Sequence, residues 1–216
     1  MIDLGLMLKK QRKKIFIYLF LFLVFLSAAG YGINREHYKN QLISSRAKAK
    51  KLRDKKKETS FKSRMRAADW QKPSEKASYP VLSKYKNVWI DVSIAKQRVY
   101  IKSGNKILYE MYCSTGIDDS TPTGTYKIQK ERGTFFYNAS SKEGARYWVS
   151  WKDNGVYLFH TVPTDKNGKY VVSQAKELGK KPNSHGCVRL SIPDAKWIYK
   201  NISQGTKVVV HGTFKA

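Results

Sequence analysis

Apolar positions follow three regimes along the chain. Ile15 to Asn34 contains no charged residue, and Ile15 to Leu26 is apolar on every face, whereas a helix lying on a soluble core keeps a polar stripe. At about 1.5 Å rise per residue the stretch spans roughly 30 Å as a helix, the depth of a bilayer core. Residues 15–34 are therefore expected to be a transmembrane anchor or signal segment. From Arg35 to Pro80 apolar positions thin out among Lys, Arg, Ser, Ala and Gln, too few to build a core. Residues 35–80 are expected to be a basic polar spacer, in which the stretch Arg46 to Lys57 has propensities that allow either an exposed helix or an extended coil.

After Pro80 the period changes to two. Val88–Val92, Arg98–Ile101, Ile107–Tyr112, Thr125–Ile128, Tyr147–Trp151, Val156–Phe159 and Val208–Val210 read as strands separated by turn residues. Ser103-Gly104-Asn105 supplies a hairpin turn. Two helices are expected, one around Gln174 to Leu178 closed by Gly179, and one after Ser191. In the second, Ser191 caps, Pro193 lies in the first turn, and Trp197, Ile198 and Ile202 form the apolar stripe. Residues 81–216 are thus expected to form one mainly β domain with a minor α+β character, a mixed, mainly antiparallel sandwich or barrel-like fold with a short capping helix.

Charge sharpens this division. The 216 residues carry 42 Lys+Arg against 16 Asp+Glu, a formal net charge of +26, which points to polyanionic company. The charge is densest before Pro80. Lys9, Lys10, Arg12, Lys13 and Lys14 directly precede the apolar run and favour an inside N-terminus, so residues 1–14 are expected to be cytoplasmic and the folded domain extracytoplasmic, a single-pass membrane protein. Ser27-Ala28-Ala29 supplies a small-x-small pattern, so secretion after signal cleavage near Ala29 stays open. The spacer reads as a solvated tether or as an adhesive for anionic envelope polymers or lipid head groups. No base-reading motif accompanies the charge, and nucleic acid is not expected as a partner. Two cysteines without zinc-type spacing argue against a disulfide scaffold and a structural metal.

The densest chemistry lies in Lys181 to Leu190, a Gly- and Pro-punctuated loop that sets Cys187 beside His185 and two residues before Arg189. A cysteine nucleophile needs a base within reach, a positive setting that favours thiolate, and backbone N–H groups for the oxyanion. The amides of Gly186 and Cys187 are natural donors. By residue type alone the Cys-His pair is a weak signal, since a lone cysteine is more often a small buried hydrophobe, and Cys113, inside a strand, reads that way. Tyr147, Trp148 and Trp151 either line a cleft or belong to the core. His211, at the end of the last strand, reads as a terminus feature.

The string Ser184-His185-Gly186-Cys187-Val188-Arg189-Leu190, with Thr121-Pro122-Thr123-Gly124-Thr125-Tyr126, Phe159-His160-Thr161, Asp194 and Gly205-Thr206-Lys207-Val208-Val209-Val210, resembles the L,D-transpeptidase (YkuD-type) catalytic domain. The resemblance runs from about Val88 to Gly212. It implies Cys187 as nucleophile and His160 as general acid/base, held in its tautomer by the carbonyl of Thr161. It further implies His185 as a second active-site imidazole, Ser184 and Gly186 as supporting residues, and Arg189, with Tyr147 and Trp148, on the substrate side. The implied reaction attacks a peptidoglycan stem tetrapeptide, releases D-Ala and passes the acyl group to an amine in a 3→3 cross-link, with no cofactor. An L,D-carboxypeptidase or cysteine amidase shares these residues, and a non-catalytic envelope-binding protein would use only the basic arm. The interval from His160 to Cys187 exceeds the family's usual one, with the excess in Thr164 to Lys181, expected to be a reshaped rim of the cleft.

Overall fold

The computed structural model describes residues 19, 21–23, 35–55 and 68–215. Most of the expected anchor, like residues 1–14 and 56–67, lies outside the described residues; Leu19 and Leu21 to Leu23 are helical. Among the described residues no helix is long and apolar enough to cross a membrane. Residues 35–55 form a helix, α1, with every residue exposed. Of the two conformations allowed for this stretch, helix is the one adopted, in keeping with its Ala, Leu, Lys and Arg content.

Residues 68–215 belong to a second unit, built on nine strands: β1 (Val88–Ser93), β2 (Arg98–Ser103), β3 (Lys106–Ser114), β4 (Gly124–Lys127), β5 (Arg132–Asn138), β6 (Glu143–Lys152), β7 (Tyr157–Thr161), β8 (Val188–Leu190) and β9 (Lys207–His211). They hydrogen-bond in the order β4-β9-β1-β2-β3-β8-β7-β6-β5. The expected mainly β fold is present, with two parallel pairings, β1/β9 and β7/β8, among antiparallel ones. In place of two stacked sheets or a closed barrel there is one curled sheet, a half-barrel. Past β4 the chain reaches across to β6, where Gln129 donates to the Ser150 carbonyl at 2.8 Å and the Ser150 amide to the Glu131 carbonyl at 2.9 Å.

Alternation decides which face is core. Ile90 and Val92 of β1, Val99 and Ile101 of β2, Phe159 of β7, Val188 and Leu190 of β8, and Val208 and Val210 of β9 all turn into one apolar cluster. Trp151 is fully buried there, and Tyr147 packs against the same cluster. Helix α3 (Ile192–Asn201) closes it with Ala195, Trp197 and Ile198. The helix starts where Ser191 caps the Asp194 amide at 3.3 Å and ends where Arg132 donates to the carbonyls of Tyr199 and Ile202 at 3.1 and 3.0 Å, a cation at a helix C-terminus.

Two strands escaped the sequence pattern. β5 is an edge strand with no buried residue and an internal Gly133; a Cβ there would stand 2.5 Å from the Trp148 indole nitrogen, so the indole's position needs a glycine. β8 has three residues and hides within the Gly-punctuated string. The helix expected at Gln174–Leu178 is α2 (Val172–Ala175), followed by turns.

The end of the expected spacer also behaves differently. Residues 68–80 lie on the domain. Ser74 and Glu75 satisfy the free edge of β3: the Tyr112 amide donates to Ser74 Oγ at 2.8 Å and the Glu110 amide to Glu75 Oε1 at 2.6 Å. Tyr79 stacks between Tyr109 and Trp197, with ring centroids 4.6 and 5.4 Å away. Tyr79 and Ser74 hydroxyls donate to Asp194, a fully buried carboxylate, at 2.6 and 2.5 Å. Trp70 packs with Tyr170 and Leu178 in a second small core. Aromatic and hydrogen-bonding residues scattered through a polar stretch have no period to announce them. Tyr79→Phe keeps the ring stack and removes one donor to a buried carboxylate; it is expected to destabilise the domain by about 1.5–3 kcal/mol. Urea unfolding of the full chain would read this as a lower midpoint at unchanged slope.

Candidate active site

On the parallel pair β7/β8, Phe159 faces Val188, His160 faces Arg189 and Thr161 faces Leu190. Phe159, Val188 and Leu190 take the core, so the residues between them turn the other way. That face carries Leu158 and His160 on β7 with Cys187 and Arg189 at and just before β8. The register sets Cys187 against Leu158, one diagonal step from His160. All four line a cavity of about 470 Å³, together with Phe136, Glu143, Trp148, Val156, Ser184 and His185.

His160 is 6% exposed, and its Nδ1 lies 2.6 Å from the Thr161 carbonyl oxygen. A carbonyl only accepts, so Nδ1 carries the proton and Nε2 keeps its lone pair. The Phe136 ring meets the imidazole edge to face at 5.6 Å. Burial, then the nearby Arg189 guanidinium, push the imidazole pKa down to about 3 against the opposing Thr161 hydrogen bond. Cys187 is half-buried, and its thiol donates to the Val156 carbonyl at 3.5 Å. Burial raises the thiol to about 11, although a backbone hydrogen bond from Leu158 and the charge of Arg189 pull the other way. The positive setting expected around the thiol exists, but desolvation outweighs it. The resting pair is a thiol and a neutral imidazole.

The loop before Cys187 is tied to the segment after β3. The amides of Asn183 and Ser184 donate to the Thr115 carbonyl at 2.9 and 3.0 Å, and Thr121 Oγ1 donates to the Gly186 carbonyl at 2.8 Å. This is what the Thr121-Pro122-Thr123-Gly124 turn contributes. Gly186 has φ +135°, and a Cβ there would stand 3.0 Å from both the Ser120 carbonyl oxygen and the Tyr157 ring. Its amide donates to Ser184 Oγ at 3.1 Å, and that hydroxyl donates to the Cys187 carbonyl at 2.6 Å. The Gly186 N–H expected to face an oxyanion is therefore engaged within the loop, where Ser184 braces it.

Arg189, expected on the substrate side, is 2% exposed. Its Nη2 donates to Glu143 Oε2 at 2.7 Å, and its Nη1 donates to Gln174 Oε1 at 2.7 Å and to the Asn183 carbonyl. The Gln174 amide closes a ring by donating to Glu143 Oε1 at 2.7 Å. Burial lowers the guanidinium pKa, and Glu143 opposes the shift. Arg189 thus braces the loop that carries Cys187. His185 is exposed at the cleft mouth, its Nδ1 3.6 Å from Glu143. Trp148 lines the cleft, whereas Tyr147 points to the other face, against Tyr199 of α3 at 6.0 Å with Lys196 over its ring. The period-two rule separates these neighbours. Glu143 and Gln174 were absent from the sequence expectations because neither lies in a string that carries chemistry; the long Thr164 to Lys181 interval was the one available sign. Cys113 is fully buried in the core, and His211 pairs with Asp91 at 2.7 Å on the far side of the sheet.

Burial opposes whichever form is charged, so it moves the acid up and the base down. Alkylation of Cys187 by iodoacetamide is accordingly expected to rise with pH toward a midpoint near 11, while the His160 imidazole, followed by NMR, stays neutral from pH 5 to 8, given its pKa of about 3. A thiolate titration near pH 6 in the alkylation profile would contradict the neutral resting pair.

Comparison with known proteins identifies the family. The family model for the YkuD L,D-transpeptidase catalytic domain matches residues 87–210. A Bacillus subtilis (strain 168) protein named putative L,D-transpeptidase YciB is 50% identical over 146 residues, 66% of this chain and 74% of that protein. Among solved structures, an L,D-transpeptidase from Mycobacterium smegmatis aligns with TM-score 0.47 and 22% identity, covering 58% of this chain and 59% of that one. One from Stackebrandtia nassauensis aligns with TM-score 0.47 and 21% identity, covering 70% and 64% respectively. With the family model spanning more than half of its length, this chain belongs to the YkuD L,D-transpeptidase catalytic-domain family.

Proposed function

We propose that the protein is a cell-wall L,D-transpeptidase in which Cys187 is the nucleophile and His160 the general acid/base. The observation that carries this reading is the His160 Nδ1 contact with the Thr161 carbonyl at 2.6 Å. It leaves Nε2 as a base on the same cleft face as the Cys187 thiol, one diagonal step away along the β7/β8 register.

Because both groups rest neutral, attack and proton transfer are coupled. As the Cys187 sulfur bonds to the carbonyl carbon of the third stem residue, its proton passes to His160 Nε2. An imidazolium in this dry setting is a strong acid, since burial disfavours its charge. It yields the proton to the departing D-Ala nitrogen as the C–N bond breaks, leaving a thioester and a neutral imidazole. An amine from a neighbouring stem then attacks the thioester, gives its proton to His160, and releases Cys187 as thiol with a new 3→3 amide. Gly144 and Trp148 line the same cleft as the thiol, and Trp148 serves as an apolar wall for the stem. His185 at the mouth and Arg189 beneath the loop support the site, with Thr161, Ser184 and Gly186 holding the reacting groups in place.

The substrate lies outside the cytoplasmic membrane, so the reading includes export, with residues 15–34 serving as an anchor or a cleaved signal. Residues 81–216, together with the docked stretch 68–80, then form the catalytic domain, and the preceding basic residues form the tether.

Incubating the full chain with disaccharide-tetrapeptide muropeptides is expected to release D-Ala and yield 3→3 dimers by mass analysis. Cys187→Ala should abolish turnover, and His160→Gln should lower kcat by about 10²–10⁴. Tripeptide without dimer would make the protein an L,D-carboxypeptidase, and unchanged turnover in Cys187→Ala would overturn an enzymatic role for this thiol.

A further inference from the structure

A second feature lies on the opposite wing of the sheet, away from the cleft. In the ladder across β4, β9, β1 and β2, Lys127 faces Lys207, Lys207 faces Trp89, and Trp89 faces Lys102. Their inward neighbours Tyr126, Val208, Ile90 and Ile101 belong to the core cluster or pack on it, so these four side chains share the outer face. Lys102 and Lys207 stand over the Trp89 indole at 4.4 and 4.5 Å, and the indole is pinned by its bond to the Gly104 carbonyl at 2.9 Å. At roughly 4.8 Å per strand the row is about 14 Å long.

Two lysines directly opposite each other destabilise a sheet. Among the described residues neither Lys127 nor Lys207 has a carboxylate partner. Packing does not require this arrangement, since both side chains are exposed. The next row along the strands is different: Thr125, Val209, Asp91 and Tyr100, continuing to Glu110. On the other side lies an open groove of about 550 Å³ lined by Asn87, Gly104, Asn105, Thr206, Trp89 and Lys207, without a carboxylate. Lys102 is bonded to Asp91 of the next row at 3.1 Å, so the uncompensated charge of the line is that of Lys127 and Lys207, with a neutral polar channel beside it. A flat anionic bilayer would press on both rows, whereas a linear polymer can follow one. The row carries lysines and no arginine, point charges without the fork that selects doubly charged terminal phosphates.

We propose that this row and its groove bind a linear polyanion of singly charged phosphodiester groups. Such binding goes beyond the transpeptidase reading and does not depend on it. The row lies on the β4-β9-β1-β2 wing and the cleft on β8-β7-β6, so polymer and stem peptide do not compete.

The test uses the full chain and a poly(glycerol phosphate) of defined length, titrated at several salt concentrations. Lys102→Gln, Lys127→Gln and Lys207→Gln combined should weaken binding at least about tenfold and reduce the slope of log K against log salt by about 1.4, at roughly 0.7 for each of the two lysines without a carboxylate partner. A control removes as many charges from α1, as Lys48→Gln, Lys50→Gln and Lys51→Gln. A greater loss in the sheet-face variant supports the site. Equal losses in both variants, or none in the sheet-face variant, overturn it, as does a loss of binding to anionic phospholipid vesicles with polymer binding unchanged. Lys127→Gln alone, at an exposed position, covers a folding failure of the triple variant: it should lower affinity at an unchanged or higher Tm, and unchanged affinity would count against the site.

Discussion

Removing a guanidinium from water costs least when its donors are matched, and the candidate site is arranged around one whose two Nη atoms are matched while its Nε has no partner among the described residues. Arg189 is 2% exposed and joins three segments distant in sequence: Glu143 from β6, Gln174 from α2 and the Asn183 carbonyl from the loop that carries the thiol. Leaving a buried charge without its partner costs about 3–5 kcal/mol, so none of these segments shifts independently. The clamp also sets the electrostatics of the cleft, since Arg189 lowers the pKa of both His160 and Cys187 while Glu143 raises that of Cys187.

Gln174 reaches this clamp because the chain between β7 and β8 is long enough to carry a short helix, and that helix needs support. Ala175 and Leu178 bury themselves with Val162 in a small second core against which Trp70, Tyr112 and Tyr170 pack. Farther along, Gly179 is fastened to β3 by its amide on the Cys113 carbonyl and to β2 by its carbonyl on Arg98. Trp70 belongs to the docked stretch whose Ser74 and Tyr79 hold the buried Asp194 at the start of α3. The extended rim and the stretch before the first strand are thus structurally coupled: one supplies a ligand to the clamp and the other walls in its support.

Strands β1, β2, β3, β4, β6, β7 and β9 were legible because their alternation is set by a core on one side of the sheet. The helix after Ser191 was legible because its cap, its proline and its stripe agree. β5 was not, since an edge strand with an exposed face and a glycine under Trp148 has no period to read. At the site, the string from Ser184 to Leu190 pointed to the thiol, but chemistry by residue type could not weigh burial against charge. It therefore favoured a thiolate and an oxyanion donor at Gly186, where the fold has a high thiol pKa and an amide engaged with Ser184, and it did not reveal that Arg189, which lines the cleft, also forms a buried clamp with Glu143 and Gln174. Glu143 and Gln174 are ordinary polar residues whose role depends on contacts 46 and 15 positions away.

In the proposed mechanism, a neutral resting pair changes how catalysis and protection are related. A preformed thiolate at an envelope would be open to oxidation and to any passing electrophile, because the thiolate is the reactive form. Here burial keeps the proton on sulfur, and the base that removes it is itself too dry to hold a charge for long. Proton transfer is then favourable only where negative charge builds on a bound carbonyl oxygen to offset the positive charge arriving on His160. A substrate that fills the cleft beside Trp148 both displaces water and supplies that charge. Desolvation, the effect that makes the groups unreactive when the cleft is empty, strengthens their electrostatic coupling once a carbonyl is in place. In that mechanism selectivity follows from the coincidence of the two events, with the buried clamp beneath the loop keeping their geometry aligned.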